Sequence, residues 1–167
     1  MLTVVDCYTR ECLANDVGQS LEGEDLVNTL NKICTERGMP SASKTGNRSE
    51  FSSRAMGQWA YERRVERDFS RPGRPAANAR VESVDGRLGR ECLNVQWLLS
   101  MDDACDRIAA RRADYNERRP HSALDWATPA AFARNCRLEP AIAVPLQPEV
   151  PASERYWIEY RVSTSLR

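Results

Sequence analysis

The chain is expected to be an α/β protein, a mixed sheet covered by helices, followed by a partly extended tail. Two observations predict this. Short β-type runs and segments of helical period follow one another as strand, strand, helix, strand, helix, strand, helix. Beyond Leu138 the composition shifts, with Pro140, Pro145, Pro148 and Pro151 falling close together. The 167 residues suit one ordinary domain plus a tail. We assign residues 1–136 to the core and 137–167 to a proline-rich linker and tail.

"LTVVD" (2–6) is a short apolar strand, and "ECLANDV" (11–17) a second one after the turn at "CYTR". In "SLEGEDLVNTLNKICTERG" the period changes. Leu26, Leu30, Ile33 and Cys34 share one helical face, acids crowd the first turn, and Gly38 with Pro40 ends the helix. "SASKT" (41–45) is due to be the next strand, although it is short and polar. A helix over 52–64, a strand over 65–69 and a proline-stiffened loop over 70–78 follow.

A further helix is predicted from Ala79 to about Cys92, with Val81, Val84, Leu88 and Cys92 on one side. A longer one, 101–118, sets Ala104, Ile108 and Tyr115 inward and arginines outward. Thr128 as N-cap and Pro129 in the first turn start a last short helix. In the tail, "YWIEYRV" (156–162) reads as a stray strand.

No apolar run approaches the roughly 20 residues needed to cross a bilayer. The N-terminus lacks a basic-then-apolar signal pattern. A cytoplasmic protein without a membrane partner is expected. Cys7, Cys12, Cys34, Cys92, Cys105 and Cys136 form no C-x-x-C pair, and the single histidine, His121, completes no zinc pattern with them. They read as reduced, mostly packed thiols.

The zero net charge hides segregation. Residues 1–43 carry 3 basic and 7 acidic side chains, 44–90 carry 11 and 6, 91–106 carry 0 and 4, and 107–137 carry 7 and 3. If the fold unites the two basic blocks, they make a phosphate-facing surface. Of the 24 basic residues 22 are arginine, whose fork suits phosphate oxygens, though GC-rich coding gives the same bias.

"LTVVDCYTRECLANDVGQSLEGEDLVNTLN", "WAYERRVERDFSRPGRPAANARVESVDGRLGRECLN" and "RRADYNERRPHSALDWATPAAFA" closely resemble the integrase-type catalytic core of bacterial insertion-sequence transposases, the insertion sequence three family. The likeness covers about residues 2–134. It implies a ribonuclease H-like fold and metal-dependent cutting and joining of DNA at transposon ends. In that chemistry Mg²⁺ or Mn²⁺ ions activate the attacking oxygen and stabilise the leaving one. The family holds its ions with two aspartates and a glutamate, since hard cations need oxygen ligands.

Glu82, in "NARVES", falls on the family's glutamate. Counting back 35 intervening residues lands on Gly46, in "KTGNRSEF", where relatives carry the second aspartate. Asn47, Glu50 and Phe51 still match around it. The first aspartate lies in the family on a strand upstream of the segment like "LTVVD". That central strand is expected to be missing here, leaving two ladders without partners. Asp6 matches instead a family aspartate of the second strand, a structural one. Gly89 stands where relatives usually carry a basic residue.

On this resemblance Glu82 is the one catalytic and metal-binding carboxylate, with Mg²⁺ or Mn²⁺ not held tightly. Arg71, Arg74, Arg80, Arg87 and Arg90 are the candidate DNA contacts. Glu50 is either a substitute ligand or a loop cap, and His121 is structural or DNA-proximal. Trp97, Tyr115 and Trp126 are expected in the core rather than as a base-stacking platform. The expected function is that of a transposase, in a truncated and inactive copy. The alternative is a non-catalytic regulator that binds DNA. Such a regulator could also pair with its own copies or with an intact transposase.

Overall fold

The computed structural model describes residues 1–18, 21–45, 54–69, 83–84, 100–138 and 157–162. In chain order the elements are β1 (Leu2–Asp6), β2 (Cys12–Asp16), α1 (Gly23–Arg37), β3 (Ala42–Thr45), α2 (Arg54–Arg63), β4 (Glu66–Phe69), α3 (Met101–Arg118), a short 3-10 turn (Ser122–Leu124), α4 (Pro129–Leu138) and β5 (Trp157–Val162). The expected loop at 70–78 lies outside the described residues, as does all but Ser83 and Val84 of the expected helix from Ala79.

The five strands form one sheet in the order β2-β1-β5-β3-β4. β1 pairs antiparallel with β2 and with β5, while β3 pairs parallel with β5 and with β4. The tail run that reads as stray is therefore the central strand. The gap expected between the antiparallel and parallel halves is filled, and the physical reason is backbone pairing. The two edges facing that gap present rows of N–H and C=O groups that must find partners when buried. β5 supplies both rows, setting Val4 opposite Tyr160 on one flank and Ser43 beside Ile158 on the other.

A strand covered on both faces has no solvent side. Ile158, Glu159 and Tyr160 are accordingly all fully buried. On one face Leu2, Val4, Ile158 and Tyr160 pack with Leu26, Leu30 and Ile33 of α1 and with Met56, Trp59 and Ala60 of α2. On the other, Val5 and Cys12 pack with Val84 and with Ile108 and Tyr115 of α3. The short "ASKT" strand survives its polarity because it is interior to the sheet. Ser43 is fully buried, and its hydroxyl donates to the Glu66 carbonyl at 3.3 Å.

Local signals explain the helices. The Glu22 N–H donates to Asp25 Oδ2 at 2.8 Å, closing a reciprocal cap at the start of α1. Gly38 ends that helix at φ 86°, a left-handed value that suits glycine, with its N–H on the Cys34 carbonyl. Ser100 caps α3 by accepting from the Asp103 N–H at 3.1 Å. The buried positions of α3 are Ala104, Ile108 and Tyr115, those its period predicts.

Cys7, Cys12, Cys34, Cys105 and Cys136 are free thiols. Cys12 is buried and Cys105 exposed. Burial pushes the Cys34 thiol above its ordinary range, against the opposing pull of Arg63. Cys92 lies outside the described residues.

If β5 is the centre of the core, truncating it must cost what a core deletion costs. Ile158→Ala is expected to lower unfolding stability by about 2–5 kcal/mol. Urea denaturation checks this, the midpoint falling while the slope stays constant.

Candidate active site

Among the described residues the strands themselves hold two buried carboxylates, Asp6 and Glu159, and their surroundings separate their roles. Asp6 closes β1. Its Oδ1 accepts from the N–H of Tyr8 at 2.8 Å and of Thr9 at 3.3 Å. Its own N–H and carbonyl bond Glu11 and Arg10, while Arg10 takes a left-handed φ of 63°. This is an aspartate-stabilised turn into β2. Burial pushes the Asp6 carboxyl up, and the Tyr8 and Thr9 hydrogen bonds oppose that.

Glu159 sits in the middle of β5, beside Val5 on β1 and Lys44 on β3. Cross-strand neighbours share a face, so its side chain lies on the side where Val5 packs with Val84 and Ile108. Val84 is two residues beyond Glu82 in the chain. Lys44 stands one residue from the end of β3, and its Nζ is 3.9 Å from Asp68 Oδ2 of β4. In sheets with parallel strands, ligands gather at the strands' carboxyl ends, and Gly46 follows directly upon β3.

Nothing in the run "WIEYRV" marks Glu159 except that an acid stands between Ile158 and Tyr160 in a β-type stretch. That was the available signal, and reading the stretch as a stray strand missed it. Glu82, Gly46, Glu50 and Gly89, with Arg71, Arg74, Arg80, Arg87 and Arg90, lie outside the described residues, as does Trp97. Among the described residues no three His, Cys, Asp or Glu side chains are grouped to hold a metal ion. These residues alone do not fit a pair of cations.

His121 organises a turn. Its N–H donates to the Ala127 carbonyl, its carbonyl accepts from Leu124 and Trp126, and its ring meets Tyr115 edge-on at 5.1 Å. Tyr115 is core, as expected. Trp126 is not. It is 71% exposed, because Asp125 and Trp126 take successive left-handed φ values of 53° and 63°. The chain reverses there and carries the indole outward.

The second basic block is largely paired. Arg107 bonds Asp103 at 2.7 Å, Arg111 and Arg119 both bond Asp114, and Arg134 bonds Glu117. Arg37 grips the buried Glu11 with two 2.7 Å hydrogen bonds, and Arg137 stands 3.6 Å away. Two side chains of α3 also serve the outer strand. Asn116 exchanges two hydrogen bonds with the Cys12 backbone, and Arg112 bonds the Leu13 carbonyl.

Two family models, each described as an integrase core domain, match residues 1–75 and 63–129. The chain belongs to the integrase-core family. Its curated relatives include a 31.7 kDa protein of insertion element IS407 from Burkholderia multivorans, 41% identical over 81% of this chain and 49% of its own length. A 39.2 kDa protein of insertion element IS476 from Xanthomonas euvesicatoria is also 41% identical, over 88% of this chain and 43% of its length. The integrase-core chain thus spans about half the length of these relatives.

Solved structures support the same ribonuclease H-like fold. A simian T-cell lymphotropic virus intasome, in complex with the PP2A regulatory subunit B56 gamma, superposes with a TM-score of 0.68 at 16% identity. The match covers 90% of this chain and 52% of that one. The HTLV-2 integrase catalytic core in complex with magnesium, in its trimeric form, gives 0.57 at 12% identity over 78% and 82%. No helix among the described residues is long and apolar enough to cross a membrane.

The raised Asp6 pKa has a definite sign. A carboxyl whose folded pKa is raised binds more protons folded than unfolded, so its burial penalty grows as pH rises from the ordinary aspartate range through that raised value. Asp6→Asn keeps the Oδ1 acceptor and removes the charge. The variant is expected to melt higher than wild type at neutral pH, with the difference closing in acid. Thermal melts at a series of pH values measure it.

Proposed function

We propose that this chain is the catalytic-core portion of an insertion-element transposase, a protein that cuts and joins DNA, and that this copy does not carry out the chemistry. Gly46 carries the reading. It stands at the second acid position of the family motif, with Asn47, Glu50 and Phe51 in frame around it and 35 residues intervening before Glu82. Glycine offers no side-chain oxygen.

Mg²⁺ or Mn²⁺ bound at such a site would activate the attacking oxygen and stabilise the leaving one. Glu82 is the third acid by its motif. Glu159 stands in for the first, since it is an acid midway along the central strand. Two carboxylates remain too few to bridge a pair of hard cations, each of which takes about six oxygen ligands.

For DNA contact the proposal relies on Arg71, Arg74, Arg80, Arg87 and Arg90. They belong to the block of 11 basic and 6 acidic residues, while Arg107 and Arg111 of α3 are tied to neighbouring acids. Partners in this reading are DNA and further transposase chains, and the compartment is the cytoplasm.

Two measurements test the reading. Strand cleavage of element-end DNA with Mg²⁺ or Mn²⁺ is expected to be absent, and turnover that Glu82→Gln abolishes would overturn the claim of inactivity. The melting temperature of wild type is expected to ignore Mn²⁺. Gly46→Asp is expected to gain an Mn²⁺-dependent rise that Glu82→Gln removes. No gain in Gly46→Asp would count against assigning these positions to one site.

A further inference from the structure

β5 is last in the chain and central in the sheet, and its attachments are unusual. Its extensive contacts are with β1 and β3. It shares no comparable contact with α4, the element before it. Eighteen residues, 139–156, separate Leu138 from Trp157, and four of them are prolines.

From this arrangement we infer that the slot between β1 and β3 is a strand-docking site for a second copy of this chain, and that two copies pair by exchanging residues 157–162. The inference goes beyond the functional reading above and does not depend on it. Both ladders of β5 are backbone pairings, and the Ile158 and Tyr160 side chains fill the same pocket among Val4, Leu26 and Trp59 whichever chain supplies them. Only the linker distinguishes own strand from partner strand.

An undocked β5 would leave two facing edges open, and open edges recruit strands. Exchange between identical chains closes both slots with no new interface to evolve. A tether able to span to its own slot holds its strand at an effective concentration on the order of millimolar. Closure within one chain therefore prevails at micromolar concentration, and exchange takes over when chains fold at concentrations approaching that value. Once formed, the exchanged pair separates only when a central strand leaves its sheet, which makes it slow to revert.

The test uses the full chain. Two wild-type preparations bearing different affinity tags are unfolded together and refolded over a range of concentrations. Co-capture of the two tags and the mass by light scattering are then measured. A dimer whose share grows with refolding concentration, and which persists for minutes or longer after dilution, is expected. A chain that stays monomeric throughout overturns the inference, as does a dimer that re-equilibrates within seconds, the behaviour of a surface contact. A second arm mixes Ile158→Pro, which spoils the strand, with Ser43→Pro, which spoils the slot. The mixture is expected to recover up to half the wild-type unfolding amplitude, because one complete core forms per pair.

Discussion

β1 and β3 run in opposite directions with one strand's width between them, and a strand that joins them must pair antiparallel on one flank and parallel on the other. β5 meets both conditions. Much of the molecule depends on that double ladder. α1 packs on the antiparallel half as well as on α2, and α3 reaches β2 from the opposite face. Without β5 no strand links the two halves, and the cluster containing Val4, Leu30, Trp59 and Tyr160 loses its floor. The cost would fall on backbone groups first, since buried amides and carbonyls without partners are costly whatever side chains surround them.

The helical faces were legible because their information is local. A period of 3.6 placed Leu26, Leu30 and Ile33 on one stripe and Ala104, Ile108 and Tyr115 on another, and both stripes are buried. Caps and stops were equally local, Gly38 being the clearest. The place of residues 157–162 was not legible. Strand order is set by which edges remain open after the other elements have packed, and nothing within a six-residue run encodes that. "SASKT" was legible as a strand, but its polarity hid that it is interior, flanked by β4 on one side and β5 on the other.

Trp126 failed for a different reason. Aromatic composition argues for burial on average, but two left-handed residues in a row reverse the chain and override the average. The phosphate-facing surface expected from charge counts is offset along 107–137. Counting basic residues along 107–137 gives an excess, yet Asp103, Asp114 and Glu117 stand within ion-pair distance of the arginines. Pairs of this kind contribute modestly to stability when exposed, but they do withdraw the guanidinium forks from easy use by phosphate.

Asp6 and Glu159 show how the position of a buried acid in a sheet reveals its purpose. A turn has N–H groups to spare, and Asp6 takes two of them, so its burial is explained by the hairpin it closes. The middle of a central strand has none to spare, because the ladders on both flanks have already claimed the neighbouring N–H groups. A sheet built for stability alone would set valine or isoleucine there, since burying a carboxylate is costly even with a cation such as Lys44 on the adjoining strand. Local choices that oppose packing concentrate where chemistry once decided the residue. In the proposed reading Glu159 is such a choice, because the register with Val5 and Lys44 holds a carboxylate where packing alone favours an apolar side chain.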